Sequence, residues 1–261
     1  MKRSSQIKKL SDPSVSWDMV IVGGGATGLG AAVDAASRGY KVALVEQADF
    51  TKSTSSRSTK LVHGGVRYLA QGDVGLVMEA LRERGLMKRN APHLVKDQRF
   101  IIGNYKWWEK PFYTIGLVMY DLLAGKLGLG HSAPLSKEEV VKEIPGINTR
   151  ELHGGVVYHD GQFDDSRMGI SLLQTALDHG ATVVNYMKVI GLVKDSSGKI
   201  SGVHLQDELE EGSYQLKAKV LINATGIFVD QLMQMDAPEK DHLVRPSQGG
   251  SCSGRSIFFR R

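Results

Sequence analysis

Six residues, Gly23-Gly24-Gly25-Ala26-Thr27-Gly28, carry the spacing G-x-G-x-x-G. The first glycine permits a tight turn, the second lets a pyrophosphate approach the backbone, and the third lets a helix pack closely on a strand. A helix opening at Ala26 would turn free N–H groups and partial positive charge toward phosphates. Alone the motif is weak, since many glycine loops are only turns. Here an apolar run precedes it, a small-residue helix follows, and Glu46 lies 18 positions after Gly28. That context favours a dinucleotide site. A carboxylate at Glu46 suits a ribose diol and repels a 2′-phosphate, so FAD or NAD is favoured over NADP.

A second stretch runs Thr54-Ser55-Ser56-Arg57-Ser58-Thr59-Lys60-Leu61-Val62-His63-Gly64-Gly65-Val66-Arg67-Tyr68-Leu69. Hydroxyls at Thr54, Ser55, Ser56 and Thr59 can hydrogen-bond a pyrophosphate or a flat ring, and Gly64 and Gly65 let backbone pass against it. Lys60, His63 and Arg67 place three basic groups nearby. On composition alone, a solvated polar loop explains the stretch better.

Other residues have plainer readings. His131, His153, His159 and His179 show no metal-ligand spacing, and no metal site is expected. Trp107-Trp108 suits packing or membrane-interface anchoring. Asp164 and Asp165 precede a predicted helix, where N-capping explains them.

The elements that must hold these groups follow from periodicity. Asp18 to Val22 reads as a buried strand, Ala26 to Arg38 as a helix closed by Gly39, and Lys41 to Glu46 as a second, parallel strand. An amphipathic helix is expected from about Val74 to Lys88, with Val74, Val77, Met78 and Leu81 on one face. Arg99 to Gly103 reads as a strand, and Trp107 to Glu143 as helical pieces broken by glycines and Pro134. Ser166 to His179 is a helix leading into Ala181 to Val184. Asp195 to Lys199 forms a hairpin turn, and Lys219 to Asn223 a last buried strand before Ala224-Thr225-Gly226. Residues 1–16 read as a loose basic arm.

The chain has 261 residues, 41% hydrophobic and 23% charged, which excludes wholesale disorder. Its 30 glycines lie in short motifs without a G-x-y period, which excludes collagen. A single cysteine, Cys252, rules out an intramolecular disulfide. The net charge of +5 suits phosphorylated metabolites or anionic headgroups. Nucleic-acid binding is not expected, because the basic residues are not gathered on one element with interleaved aromatics. Lys2, Arg3, Lys8 and Lys9 lead into polar residues, unlike a signal peptide. Asp121 and Lys126 make Phe112 to Leu129 too polar for a membrane span, though a surface-lying segment fits.

Taken together, these motifs resemble the FAD-dependent glycerol-3-phosphate dehydrogenases, within the D-amino-acid-oxidase-like flavoproteins. Ile21 to Gly25 with Gly28, Gly30, Asp34, Arg38 and Gly39 is similar to that family's first signature. Ser58 to Leu69 is similar to its second. Ala91-Pro92-His93-Leu94, Gly116 to Asp121, Asp164 to Arg167 and Asn223-Ala224-Thr225-Gly226 follow in family order. The resemblance spans about residue 17 to Gly249, roughly the N-terminal half of a complete member. It implies an α/β fold: a Rossmann-like, dinucleotide-binding FAD domain with a partial α+β substrate domain. The expected division is a basic arm over 1–16, FAD domain over 17–105, a substrate-side segment over 106–163, FAD domain again over 164–230, and the start of the substrate-domain return over 231–261.

The implied reaction is oxidation of sn-glycerol 3-phosphate to dihydroxyacetone phosphate, with electrons passed to a quinone. FAD is expected on Gly23, Gly25, Ala26, Thr27, Gly28, Glu46, Thr54, Ser55, Ser56, Thr59, Lys60, Gly64, Gly65, Ala224, Thr225 and Gly226. His63, Arg67 and Tyr68 are the expected catalytic residues. A histidine suits a base for an alcohol losing hydride, and an arginine fork suits phosphate or a developing ketone oxygen. Sequence leaves open whether His63 removes the proton or only orients substrate. Two alternatives stand beside this reading: an oxidase delivering electrons to oxygen, and a non-catalytic FAD-binding fragment. After Gly249 the run Gly250-Ser251-Cys252-Ser253-Gly254-Arg255 departs from the apolar strand expected there. The resemblance therefore implies a truncated form with little activity, by frameshift or premature end. A cytoplasmic location is expected, with peripheral attachment to the inner face of the membrane as a variant.

Overall fold

A computed structural model describes residues 2–69 and 71–247, Arg67 and Leu69 through their backbone only. The expectations about Cys252 and the tail after Gly249 lie outside the described residues. In chain order the first elements are α1 (Arg3–Leu10), β1 (Ser16–Val22), α2 (Ala26–Ser37), β2 (Val42–Val45), β3 (Leu61–Val62), α3 (Val66–Leu69) and α4 (Val74–Asn90). Then come β4 (Val95–Asn104), α5 (Glu109–Ala124), β5 (Ala133–Leu135), α6 (Lys137–Glu143), β6 (Gly154–Phe163) and α7 (Asp165–Asp178). The chain continues with β7 (Thr182–Val184), β8 (Met187–Lys194), β9 (Ile200–Asp207), β10 (Ser213–Asn223) and α8 (Val229–Asp236).

The described residues form two units, 2–58 with 165–247 and 59–164. The first holds a six-stranded sheet in the order β7-β2-β1-β10-β9-β8. β1 pairs in parallel with both β2 and β10, as the βαβ opening predicts. Their registers align Val22 with Val45 and with Asn223, so three strands end at one level. In open α/β sheets, ligands bind beyond such carboxyl ends.

The alternation of strand side chains sorts this core into two faces. Ile21, Val42 and Leu44 meet Leu29, Ala32 and Ala36 of α2 and Leu173 of α7. Val20, Val22, Ala43 and Val45 meet Ile7 and Leu10 of α1, Leu232 of α8 and the β8–β9 hairpin. The small residues of α2 let that helix lie close to the sheet. Asp195 closes the hairpin by accepting from the Ser197 and Lys199 amides at 2.8 and 3.0 Å.

The loose arm expected over residues 1–16 is instead partly a helix. Ile7 and Leu10, three residues apart, are buried in the sheet's core. The Arg3 guanidinium donates to Asp207 at 2.8 Å and to the Asn185 carbonyl at 3.1 Å. Burial pushes the Asp207 carboxyl up, but the Arg3 hydrogen bond and the Leu209 and Glu210 amides outweigh it, leaving the carboxyl below its usual range. A lowered folded-state value stabilises above the unfolded value near 3.9 and is lost as pH falls through the folded one. Arg3→Ala should therefore cost roughly 1.5–3 kcal/mol at pH 7, and progressively less as pH falls through the lowered Asp207 value. Urea unfolding of both chains across that pH range checks this.

The second unit is built around β6, which the sequence reading missed. It pairs antiparallel with β3, β4 and β5, its ladder with β4 running from Val95↔Phe163 to Asn104↔Gly154. β4 and β6, on either side of residue 105, are thus partners within one compact unit. Pro134 lies in β5, within a segment read as broken helix. On α4, Val77 and Leu81 are buried as expected, whereas Val74 and Met78 face outward. The buried stripe continues instead to Arg84 and Gly85.

Candidate functional site

A cavity of about 860 Å³ opens in the first unit at the aligned strand ends. Its volume lies within the range of small-molecule and cofactor sites. Gly23, Gly25, Ala26 and Thr27 line it from the turn after β1 and the start of α2. Glu46 lines it from the end of β2, Thr54 and Ser55 from the hydroxyl loop, and Ala224, Thr225 and Gly226 from the end of β10. Segments about 200 residues apart in sequence thus meet at one rim. Gly28 is buried behind it, and Ser56 lies in the 3₁₀ turn Thr54–Ser56.

The rim is tightly constrained. Gly23 has φ +112°, and a side chain there would strike the Ala224 carbonyl, because β1 and β10 end side by side. A side chain at Gly28 would strike the Gly23 carbonyl, so the β1–α2 turn closes only with glycine. Glu46 has a role the sequence did not reveal. One of its carboxylate oxygens accepts from the Gly24 amide at 2.6 Å and the other from the Ala48 amide at 2.9 Å. It therefore holds the glycine turn from the neighbouring strand.

On the opposite side, Asn223 accepts from the Thr225 hydroxyl at 2.7 Å and donates to the Val229 carbonyl at 3.0 Å. This fixes the Ala224-Thr225-Gly226 turn. The Ser55 hydroxyl accepts from the Ala26 amide at 2.8 Å, at the N-terminus of α2. No acidic residue lies in the first turn of α2, and Lys52, Arg57 and Lys188 line the cavity. A helix N-terminus, three cations and a carboxylate at one side match an anionic pyrophosphate with a ribose beside it. Lys188 comes from β8 and had no local sequence signal; Arg57 lay inside the hydroxyl stretch without an assigned role.

Asp165, expected as a helix cap, accepts from its neighbour Ser166 at 2.8 Å. Its other oxygen accepts from the Ser58 hydroxyl at 2.7 Å, anchoring the end of the hydroxyl loop.

The second unit carries Thr59, Lys60, His63, Gly64, Gly65, Arg67 and Tyr68. Lys60 has φ +62°, and its carbonyl accepts from the Phe163 amide at 3.0 Å. His63 and Tyr68 are exposed, and Gly64 and Gly65 are buried. Gly65, at φ +70°, makes the turn into α3, whose backbone carries Arg67; the Arg67 side chain lies outside the described residues. Beneath this segment sits a polar cluster that sequence reading did not find. Arg84 donates to Asp160 at 2.6 Å, Tyr120 donates to the same oxygen at 2.8 Å, and the Gly64 amide donates to Tyr120 at 2.8 Å. Burial first, then the Asp160 charge, pushes the Tyr120 phenol far above its ordinary value, so it stays a donor.

His159 stacks under Gly130, and His131, His153 and His179 are dispersed. Trp107 is 82% exposed and so does not serve as packing, while Trp108 makes an edge contact with Phe112 at 5.9 Å. Among the described residues no helix is long and apolar enough to cross a membrane.

Comparison with known proteins places this geometry in context. The family described as FAD dependent oxidoreductase, DAO, matches residues 18–255. A mitochondrial glycerol-3-phosphate dehydrogenase of Schizosaccharomyces pombe is 45% identical over 253 residues, covering 94% of the chain and 39% of that protein. Its namesake from Rattus norvegicus is 42% identical over 259 residues, covering 95% and 36%. A crystal structure of the Bacillus halodurans glycerol-3-phosphate dehydrogenase with FAD aligns at a TM-score of 0.70 and 31% identity, covering 90% of the chain and 39% of the other. The chain thus spans well under half the length of these relatives.

Proposed function

The chain belongs to the FAD-dependent oxidoreductase family, and from that premise we propose that it serves the oxidation of sn-glycerol 3-phosphate to dihydroxyacetone phosphate. The cofactor reading rests on the cavity at the strand ends, where the glycine turn, the α2 N-terminus and Glu46 converge. The substrate reading rests on the names of the relatives. The first unit is the FAD-binding domain in this reading, and the second supplies the substrate side.

When bound, FAD supplies the acceptor for the hydride leaving C2 of the alcohol. Gly23, Gly25 and the amides opening α2 receive the pyrophosphate, with Lys52, Arg57 and Lys188 offsetting its charge. Thr54, Ser55, Ser56 and Thr59 offer hydroxyls, Lys60, Gly64 and Gly65 approach the cofactor, and Glu46 takes the ribose diol. His63 takes the hydroxyl proton or orients that hydroxyl, Tyr68 donates a hydrogen bond beside it, and Arg67 binds the phosphate. Electrons pass on to a quinone. The oxidase alternative is separated by following oxygen uptake against quinone or dye reduction with glycerol 3-phosphate as donor.

Glu46→Ala removes the clamp on the Gly24 amide as well as the acceptor for the diol. FAD affinity should fall by roughly 1.5–3 kcal/mol, or about tenfold to more than a hundredfold, in a fluorescence titration. Arg67→Ala should lower kcat/KM for glycerol 3-phosphate at least tenfold, in an enzyme carrying this segment, with the bound-flavin spectrum unchanged. Unchanged kinetics would return Arg67 to a surface charge. Peripheral membrane attachment remains part of the proposal, supported by the exposed Trp107, Phe112, Ile115 and Leu122. The cytoplasmic placement is likewise a proposal, beside relatives whose names place them in mitochondria.

A further inference from the structure

The second unit buries three polar side chains that the proposed reaction does not use. Arg84 and Tyr120 are each 1% exposed and Asp160 is 3% exposed. They come from α4, α5 and β6, so no single element explains their meeting. One Asp160 oxygen receives Arg84 at 2.6 Å, Tyr120 at 2.8 Å and the Gly64 amide at 3.3 Å. The Tyr120 hydroxyl also accepts from that amide at 2.8 Å. Arg84 is further tied to the His159 carbonyl at 3.1 Å, which fixes it along β6.

The position of this hook in the chain gives it meaning. β3 is only two residues long, and its ladder with β6 ends at Val62↔Gly161. The next point at which the backbone is held is Gly64, one residue beyond His63. His63 is therefore bracketed between the last ladder pair and the buried hook, and projects outward from a short, doubly fixed arch. Gly64 cannot carry a side chain, because it would run into Leu81 and the Tyr120 hydroxyl. Gly65 then turns the chain into α3, where the Tyr68 amide donates to the Gly65 carbonyl at 2.8 Å.

We propose that Tyr120, Asp160 and Arg84 are positioning residues, which hold the Gly64 amide and thereby set the backbone arch that presents His63. The cluster touches no substrate; it acts through the main chain. Arg84 neutralises and orients the Asp160 carboxylate, Asp160 orients the Tyr120 hydroxyl, and Tyr120 receives the Gly64 N–H. The catalytic consequence rests on the reading of His63 given above, whereas the structural hook does not.

The test has two arms, the first on the whole chain. In the first, hydrogen exchange is followed at the Gly64 amide, with amides of the β4–β6 ladder as the internal reference. Tyr120→Phe should speed exchange at Gly64 at least tenfold relative to that ladder, and Asp160→Asn supplies a second variant should the first fail to fold. Unchanged Gly64 exchange with an intact ladder would overturn the hook. In the second arm, turnover of glycerol 3-phosphate with FAD and an artificial acceptor is measured in a double-mutant cycle in an enzyme carrying this segment. Tyr120→Phe should lower kcat/KM at least fivefold beside His63 and less than twofold in the His63→Ala background, both read per FAD bound. Equal losses in both backgrounds would overturn the positioning role. Turnover undiminished on His63→Ala would count against the substrate-site reading, and the exchange result then decides the hook.

Discussion

Gly28→Ala should abolish stoichiometric FAD binding while leaving the second unit folded. The added methyl would meet the carbonyl oxygen of Gly23, which is backbone in a turn already held from two sides. Gly23 donates to the Val45 carbonyl at 2.8 Å, and Glu46 holds Gly24 at 2.6 Å. With the oxygen unable to yield, α2 must move away from β1, and its N-terminus leaves the cavity rim. Overpacking of this kind costs roughly 1–3 kcal/mol in stability. FAD affinity should drop about a hundredfold or more, which corresponds to about 2.8 kcal/mol. A fluorescence titration of the variant reads this directly, and affinity within threefold of the parent chain would show that the turn is not part of the site.

Asp160→Ala should destabilise the chain by about 3–5 kcal/mol in urea unfolding, the loss expected when a buried ion pair loses one partner. It leaves the Arg84 charge buried without its partner and removes the acceptor of Tyr120. The size follows from burial, since Arg84 and Asp160 side chains are only 2% and 5% exposed. Replacing both members, as in Arg84→Met with Asp160→Leu, should cost less than Asp160→Ala alone, because no unpaired charge remains. A loss below 1 kcal/mol for Asp160→Ala would mean that water reaches the pair.

The contrast between these two sites explains what the sequence made legible. The βαβ opening was readable because its signals are local: an apolar run, glycines at fixed offsets, and a carboxylate at the end of the next strand. The structure matches that reading in the parallel pairing of β1 with β2 and in the helix from Ala26. α1 looks like an arm in sequence because its polar run hides the two residues, Ile7 and Leu10, that dock it. β6 was missed because Gly154, Gly155 and Gly161 interrupt its apolar pattern, and its strand character comes from three partners elsewhere in the chain.

The second site shows the limit more sharply. Arg84 continues the buried stripe of Val77 and Leu81 on α4, so an arginine on an apolar face was a visible signal. Its partner was not, since Asp160 lies 76 residues away and Tyr120 joins from a third element. Glu46 was assigned to a ligand on its position alone, yet both its oxygens also hold backbone amides. Such double use leaves no trace in spacing.

Titration of the purified 261-residue chain with FAD, in the presence and absence of NADPH, tests the cofactor site most directly. The expected result is one equivalent of FAD bound non-covalently, released on denaturation, with NADPH unable to displace it because Glu46 repels a 2′-phosphate. Failure to bind FAD, or tighter binding of NADPH, would contradict it.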